Sequence, residues 1–432
     1  MKATQWILLA LGLASNTQAD WKQWRGPTGQ GHANAKLPTE WSETKNVMWR
    51  TPVPGKGWSS PVVEGNQIWM TTAFETPATK EEAAERLKSN TGGVPVNVLR
   101  SVSLHALCVD KNTGKLMHNV RVITKKEPQW VHKLNSYASP SPILEAGRLY
   151  CHFGSYGTAC IDAKTSKVAW LNEKIWVNHE NGPGSTPVLW KDLLIFHMDG
   201  SDQQFVVALD KKTGLEKWRT SRSGKMHANP QLKKSYGTPL IQEINGKPIL
   251  FSPGSNWLYA YDPANGRELW KTEYGGLGFS LVPKPVTGHG MIFMSTGFMK
   301  AKLLAVRYEK TAKPDIAWSY ARSVSTQPSP LLVGDELYFI TESGGLITCL
   351  NAHTGEPHWV ERIGGNYSAS PTFSNGKIYF HSREGVTTIL QAGKTFKVLA
   401  KNILEGQHMA SAAVDGNALI LRTDKALYRI ED

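Results

Sequence analysis

SPLLVGDELYFITESGGLITCLNAHTGEPHW, from Ser329 to Trp359, is the stretch whose reading decides the fold. It opens on Ser-Pro, follows a short apolar run to a Gly-Asp turn, and rises through a second run rich in aromatics. A third run ends in Leu350-Asn351, then Thr354-Gly355, then a tryptophan. Each run alternates β-branched or aromatic residues with small or polar ones, which is the period of a half-buried strand.

The opening step of this phrase recurs at Ser60-Pro61, Ser141-Pro142, Thr186-Pro187, Thr238-Pro239, Lys284-Pro285, Ser329-Pro330 and Ser370-Pro371, with a decayed copy at Ser411-Ala412. Units of roughly 45 residues cannot bury their own faces, so neighbours must stack. The long first interval reflects an insertion at residues 74–100, where KEEAAERLKS (Lys80 to Ser89) carries the chain's only clear helical period. The Asp-x-x-Thr-Gly turns at Asp110 to Gly114, Asp210 to Gly214 and Asn351 to Gly355, and the variant Asp262 to Gly266, pair an Asx cap with a glycine suited to positive φ. After them come Trp218, Trp270 and Trp359; Trp170 follows Ser166, Trp318 and Trp49 take the equivalent place, and His118 and Val398 replace the indole in two copies.

The last copy supplies three strands and stops at Asp432, while Asn46 to Val53 (NVMWRTPV) has the pattern of the missing fourth. The expected fold is all-β: an eight-bladed β-propeller of four-stranded antiparallel blades, closed by the N-terminal strand completing the C-terminal blade. Closure of this kind removes the unpaired sheet edge. The expected organisation is a signal peptide at 1–19, an extended segment at 20–45 and the propeller at 46–432.

Lys2, the apolar run Trp6 to Ala14 and the Thr17-Gln18-Ala19 ending form the pattern of a secretory signal cut near Ala19, so a periplasmic or secreted protein is expected. No cysteine follows the cut, which speaks against lipid anchoring. No later run approaches ~20 apolar residues, so no transmembrane segment is expected. Of the four cysteines, Cys151 and Cys160 flank a Gly154–Gly157 turn, and two readings stay open: a cross-strand disulfide, or two buried thiols. Cys108 and Cys349 lie on distant blades and should stay unpaired. The formal net charge of +13 is scattered. It suits an anionic polymer or a solvated surface, and nucleic acid is not an expected partner.

Antiparallel blades send the start of each innermost strand and the turn between the second and third strands to one face. On that face the irregular, polar segments belong to blades two to four. They gather His132, Asn135, Tyr137, Asn178, His179, Glu180, Asn181, Asp199, Asp202, Gln203 and Tyr236 at one channel mouth, the mix of groups a ligand or metal site uses. Each has a plainer role open to it: an Asx-capped turn at Asp199 to Asp202, a hydrogen-bonded His179-Glu180 pair, packing tyrosines. HExxH, GxSxG, Walker and CxxC motifs are absent.

The repeat resembles that of quinoproteins, shared by the pyrroloquinoline-quinone (PQQ) alcohol dehydrogenases and the scaffold lipoproteins of the Bam complex, over nearly all of residues 46–432. WKQWRGPTGQG (Trp21 to Gly31), LPTEWSETKNVMW and NHENGPGSTP also resemble the PQQ-like propeller proteins secreted by planctomycetes and related bacteria. The dehydrogenase likeness implies PQQ with calcium held by Glu, Asn and Asp. Glu180, Asn181, Asp199 and Asp202 are of suitable type but crowd one blade, and the adjacent cysteines of those enzymes have no counterpart. The leading expectation is therefore an exported, non-catalytic binding propeller for a protein segment or anionic polymer. The alternatives are a PQQ- and calcium-dependent oxidoreductase of alcohols or sugars, and a polysaccharide hydrolase or lyase pairing His179 with Glu180 or Asp202.

Overall fold

In the computed structural model, which describes residues 20–90, 93, 95–276, 278–308 and 314–432, eight four-stranded antiparallel sheets follow one another along the chain. The expected signal peptide at 1–19 lies outside the described residues. Blades one to seven each run in sequence from innermost to outermost strand; blade six, for example, is Leu331–Val333, Glu336–Ile340, Leu346–Asn351 and Pro357–Arg362. Blade eight takes three strands from the C-terminus, and its outer strand is Val47–Pro52, antiparallel to Ala426–Ile430. The chain's two ends share one sheet, and the ring is closed. Among the described residues no helix is long and apolar enough to cross a membrane.

Two belts join the blades. The inner one uses the hydroxyl of each opening step. Ser60 N–H donates to Ser141 Oγ at 2.9 Å, Ser141 to Thr186 and Thr186 to Thr238 at 3.0 Å. Beyond a gap, Lys284 N–H donates to Ser329 and Ser329 to Ser370 at 3.0 Å, Ser370 to Ser411 at 2.9 Å, and Ser411 back to Ser60 at 3.0 Å. The missing link, from Thr238 to the fifth blade, falls where Lys284 offers no acceptor.

The outer belt uses the tryptophans. Indole N–H groups of Trp49, Trp170, Trp218 and Trp318 donate to carbonyls in the Thr-Gly turn of the next blade, those of Lys111, Lys211, Pro263 and Ala352. The ring then lies on that turn's glycine. A Cβ at Gly114, Gly214, Gly266 or Gly355 would meet the indole within 2.7 Å, so glycine is required there by contact as well as by its positive φ. Each wedge contributes about 2–3 kcal/mol of burial. In blade one His118 takes the tryptophan's place and stacks on Trp69 at 6.2 Å.

Residues 20–45 cross the ring on the Thr-Gly side. Trp21 and Lys22 carbonyls accept from Val63 and Leu144 of blades one and two. Trp24 Nε1 donates to Ser411 in the inner belt at 3.2 Å, and Arg25 Nη2 to Pro330 O at 2.8 Å. His32–Ala33 then adds a parallel strand to blade seven. The segment buries Arg25 and Lys284, neither paired with a carboxylate among the described residues, and the Lys284 ammonium lies 6.0 Å from the Trp24 ring.

The insertion forms the expected helix, Lys80–Leu87, with a Thr79/Glu82 capping box. Its Val96–Asn97 strand pairs with Val131–His132, so it docks beside the mouth of blade two.

The disulfide reading of Cys151 and Cys160 is corrected: all four cysteines are free and buried. The hairpin register is centred on Ser155, one residue off the symmetric turn. Tyr150 therefore pairs with Cys160 and Cys151 with Ala159. The two thiols point into different interblade cores, Cys151 between blades one and two and Cys160 between two and three.

Burial, with Arg25 adding to it, lowers the Lys284 ammonium from its ordinary value to about 7. The unfolded chain then binds more protons from about pH 7 to about pH 10, so stability rises with pH across that window. Lys284→Thr supplies the eighth acceptor and removes the buried amine. It is expected to raise the thermal midpoint at pH 7 and to flatten the rise toward pH 10. A lower midpoint, or an unchanged pH slope, would count against both roles.

Candidate functional site

The lead-in loops of blades two to four form the mouth, and the structure stitches them to one another. Asn135 sits at the centre of blade two's loop: its amide nitrogen donates to Asn181 O at 2.8 Å and Pro183 O at 3.2 Å, and its oxygen accepts from Ser136 N–H and Ser139 Oγ. Asn181 O also accepts from His132 N–H at 3.1 Å. Gly182 lies so close that a Cβ would meet Asn135 Nδ2 and Val131 Cγ1 at 2.7 Å, with φ of +97°. This glycine sets how tightly the two loops close.

His179 is buried beneath them. Its Nδ1 accepts from Gly182 N–H at 2.9 Å, so Nε2 carries the proton and donates to Tyr156 Oη at 3.0 Å. Burial, with Lys234 nearby, lowers this imidazole to about 3. Tyr137 and Tyr156 both donate to Gln129 O, at 2.8 and 2.9 Å, and Tyr236 donates to His179 O at 2.5 Å. Glu180, at a φ of +55°, accepts from Lys234 Nζ at 2.7 Å. Asp202 Oδ1 caps Asn178 N–H at 2.8 Å. Neither carboxylate meets the His179 ring, so the acid–base pair a hydrolase or lyase needs is not assembled from these three residues.

Blade three's second strand ends at Asp199, and sequence reasoning missed what holds it. Arg222, just past the fourth strand, donates through Nε at 3.1 Å and Nη2 at 2.8 Å to the two Asp199 oxygens, with both side chains buried. The guanidinium also donates to Ser252 Oγ at 2.8 Å and lies 4.7 Å from the Tyr259 ring. Although burial opposes its charge, the adjacent Asp199 carboxylate keeps Arg222 above its ordinary value. His197 meets the same Ser252 hydroxyl at 2.9 Å. In sequence Arg222 resembles any surface cation, because its partner lies on another strand.

His152, His179, His197, Asp199 and Tyr236 surround a cavity of about 30 Å³, room for one or two waters. A quinone does not fit these residues. The space is water-sized, Asp199 is engaged by Arg222, and Glu180 is engaged by Lys234. Outward-facing groups are of another kind. Asp202, Gln203, Leu134 and the half-exposed Trp176 all reach solvent on the lead-in loops of this face or on its middle turn. Farther round the same face are Phe298 and Met299, the latter 72% exposed. A larger hollow of about 320 Å³ opens between blades six and seven, lined by Ile363, Gly364, Gly365, Glu384, Lys401 and Ile403. Sequence gave no sign of it, because its walls come from two blades.

Fold and mouth together define an eight-bladed propeller of the PQQ-like repeat type. The family described as outer membrane protein assembly factor BamB matches residues 79–220 and 206–431, and the chain belongs to it. No curated protein matches the chain. Among solved structures, BamB from Moraxella catarrhalis is similar at 12% identity with a TM-score of 0.52, covering 84% of this chain and 99% of that one. A europium-containing methanol dehydrogenase is similar at 10% identity and a TM-score of 0.53, covering 94% and 90%. The computationally designed protein Ika8 is similar at 9% and 0.55, covering 89% and 100%. At such identities these likenesses describe the fold alone.

Two outcomes follow for the mouth. Arg222→Met strands a buried carboxylate and should cost about 3–5 kcal/mol. Arg222→Met with Asp199→Leu should recover part of that in denaturant melts, and equal losses in both would refute a paired site. His152 and His179, lowered by burial to about 3, stay neutral when folded. Their contribution is present above about pH 6.5 and lost as pH falls toward 4. The thermal midpoint should drop between pH 7 and pH 4.5, and drop less in His152→Gln; equal drops would contradict the assignment.

Proposed function

We propose that this protein is an exported, non-catalytic binding propeller whose mouth face, over blades two to four, receives a segment of a partner protein. One observation carries the reading: Asn135, His179, Glu180 and Asp199 are each engaged by neighbouring protein groups, whereas Leu134, Trp176 and Gln203 face outward on that rigid base. Exposed aromatic and aliphatic groups on preorganised loops suit recognition of a chain segment. The family's description as an outer-membrane assembly factor supports a protein partner and a location outside the cytoplasm. The net charge of +13 favours an acidic one.

The test is a photo-cross-linking residue at position 176, against the same residue at position 215 on the Thr-Gly face, in living cells. Specific protein adducts are expected from position 176 and not from 215, and their loss when Leu134→Asp is added. No adducts, or equal adducts from both faces, would overturn the reading. Retention on sulfated or uronic polymers that Trp176→Ser abolishes would reassign the same face to an anionic polymer. Asn135 and His179 are unsuitable probes because they hold the loops together.

A further inference from the structure

On the Thr-Gly face, opposite the mouth, the repeat places the first turn of each blade beside its Asp-x-x-Thr-Gly turn. In blade one the residues that meet are Asn112 and Asn66, at 2.9 Å; in blade three they are Lys212 and Asp192, at 3.7 Å. Neither pair offers a metal more than one good donor. Blade six holds His353 and Asp335 in the same positions, with Nε2 to Oδ1 at 3.0 Å. Blade five then adds His289 from its own first turn, Nε2 lying 3.5 Å from the same oxygen and the two imidazoles 4.3 Å apart.

We propose that His289, Asp335 and His353 form a binding site for one divalent transition-metal ion of the zinc type, bridging blades five and six. Their three donor atoms lie within 4.8 Å of one another. Bonds of about 2.0–2.2 Å in a tetrahedron place ligand atoms about 3.4 Å apart, so the observed 3.0 and 3.5 Å separations need only small shifts. Two imidazoles with one carboxylate suit zinc, cobalt, nickel or copper better than calcium or magnesium. Water would complete the sphere, since all three side chains reach solvent.

The backbone holds these donors in place. His289 sits at φ +54° between two glycines; its Nε2 donates to Gly334 O at 2.9 Å without metal, a bond that coordination through this nitrogen would replace. The His353 N–H is capped by Asn351 at 2.9 Å, and Ala352 N–H donates to Asp335 O at 2.8 Å. The donors thus arrive on three short turns that the propeller already fixes, which favours a preformed site.

The test uses the untagged, chelator-stripped full chain titrated with zinc by calorimetry and with cobalt by visible absorption. One equivalent per chain is expected, with cobalt bands of a four- or five-coordinate site. His353→Ala and Asp335→Asn should each weaken binding by at least about tenfold while leaving the metal-free thermal midpoint unchanged. Absence of binding would overturn the proposal, and so would one-equivalent binding that either variant leaves intact.

Discussion

Each blade depends on hydrogen bonds it cannot make alone. The N–H that opens an innermost strand finds its acceptor in the next blade's hydroxyl, and the indole N–H on the outer strand finds its acceptor in the next blade's turn. A buried N–H without a partner costs about 1–3 kcal/mol, so an isolated blade leaves one such donor at each radius. Apart from the link missing at Lys284, the ring satisfies the inner-belt donors only by closing. That is why Val47–Pro52 must return to Ala426–Ile430, and why Ser411 of the last blade donates to Ser60 of the first.

The same constraint explains the mouth. Loops leaving a closed ring cannot spread outward without breaking the belt, so polar side chains on them turn inward and find each other. Asn135 bridges blades two and three, and Tyr236 reaches from blade four's loop to His179 O in blade three's. Asp199 and Arg222 are then sealed below. Such a rim is stiff and largely self-satisfied, which limits its chemistry and suits it to presenting a shape.

The parts of this fold that could be read from sequence are those written within one repeat. Ser-Pro, Thr-Gly and tryptophan each carry a local signal, and their spacing places strands and turns before any contact is known. The period of Lys80 to Ser89 announces the helix in the same way. What could not be read depends on one-residue geometry or on other blades. Whether Cys151 faces Cys160 turns on the hairpin being centred on Ser155, a single-residue difference with no compositional mark. The mouth residues could be assigned to a face by topology, but Arg222 could not be paired with Asp199, since only the folded strands bring them together.

Departures from the repeat are more informative than the repeat itself. At Lys284 the inner belt loses its hydroxyl, and there the strap at residues 20–45 crosses, placing Trp24 over the amine and Trp24 Nε1 on the belt's Ser411. At Asn351 to Gly355 the turn keeps its cap and its glycine, so the scaffold is intact, yet a histidine stands where blade one has Asn112 and blade three has Lys212. A repeat tolerates substitution at positions that neither cap a turn nor fill an interblade wedge. Chemistry can therefore accumulate at those positions without cost to the ring.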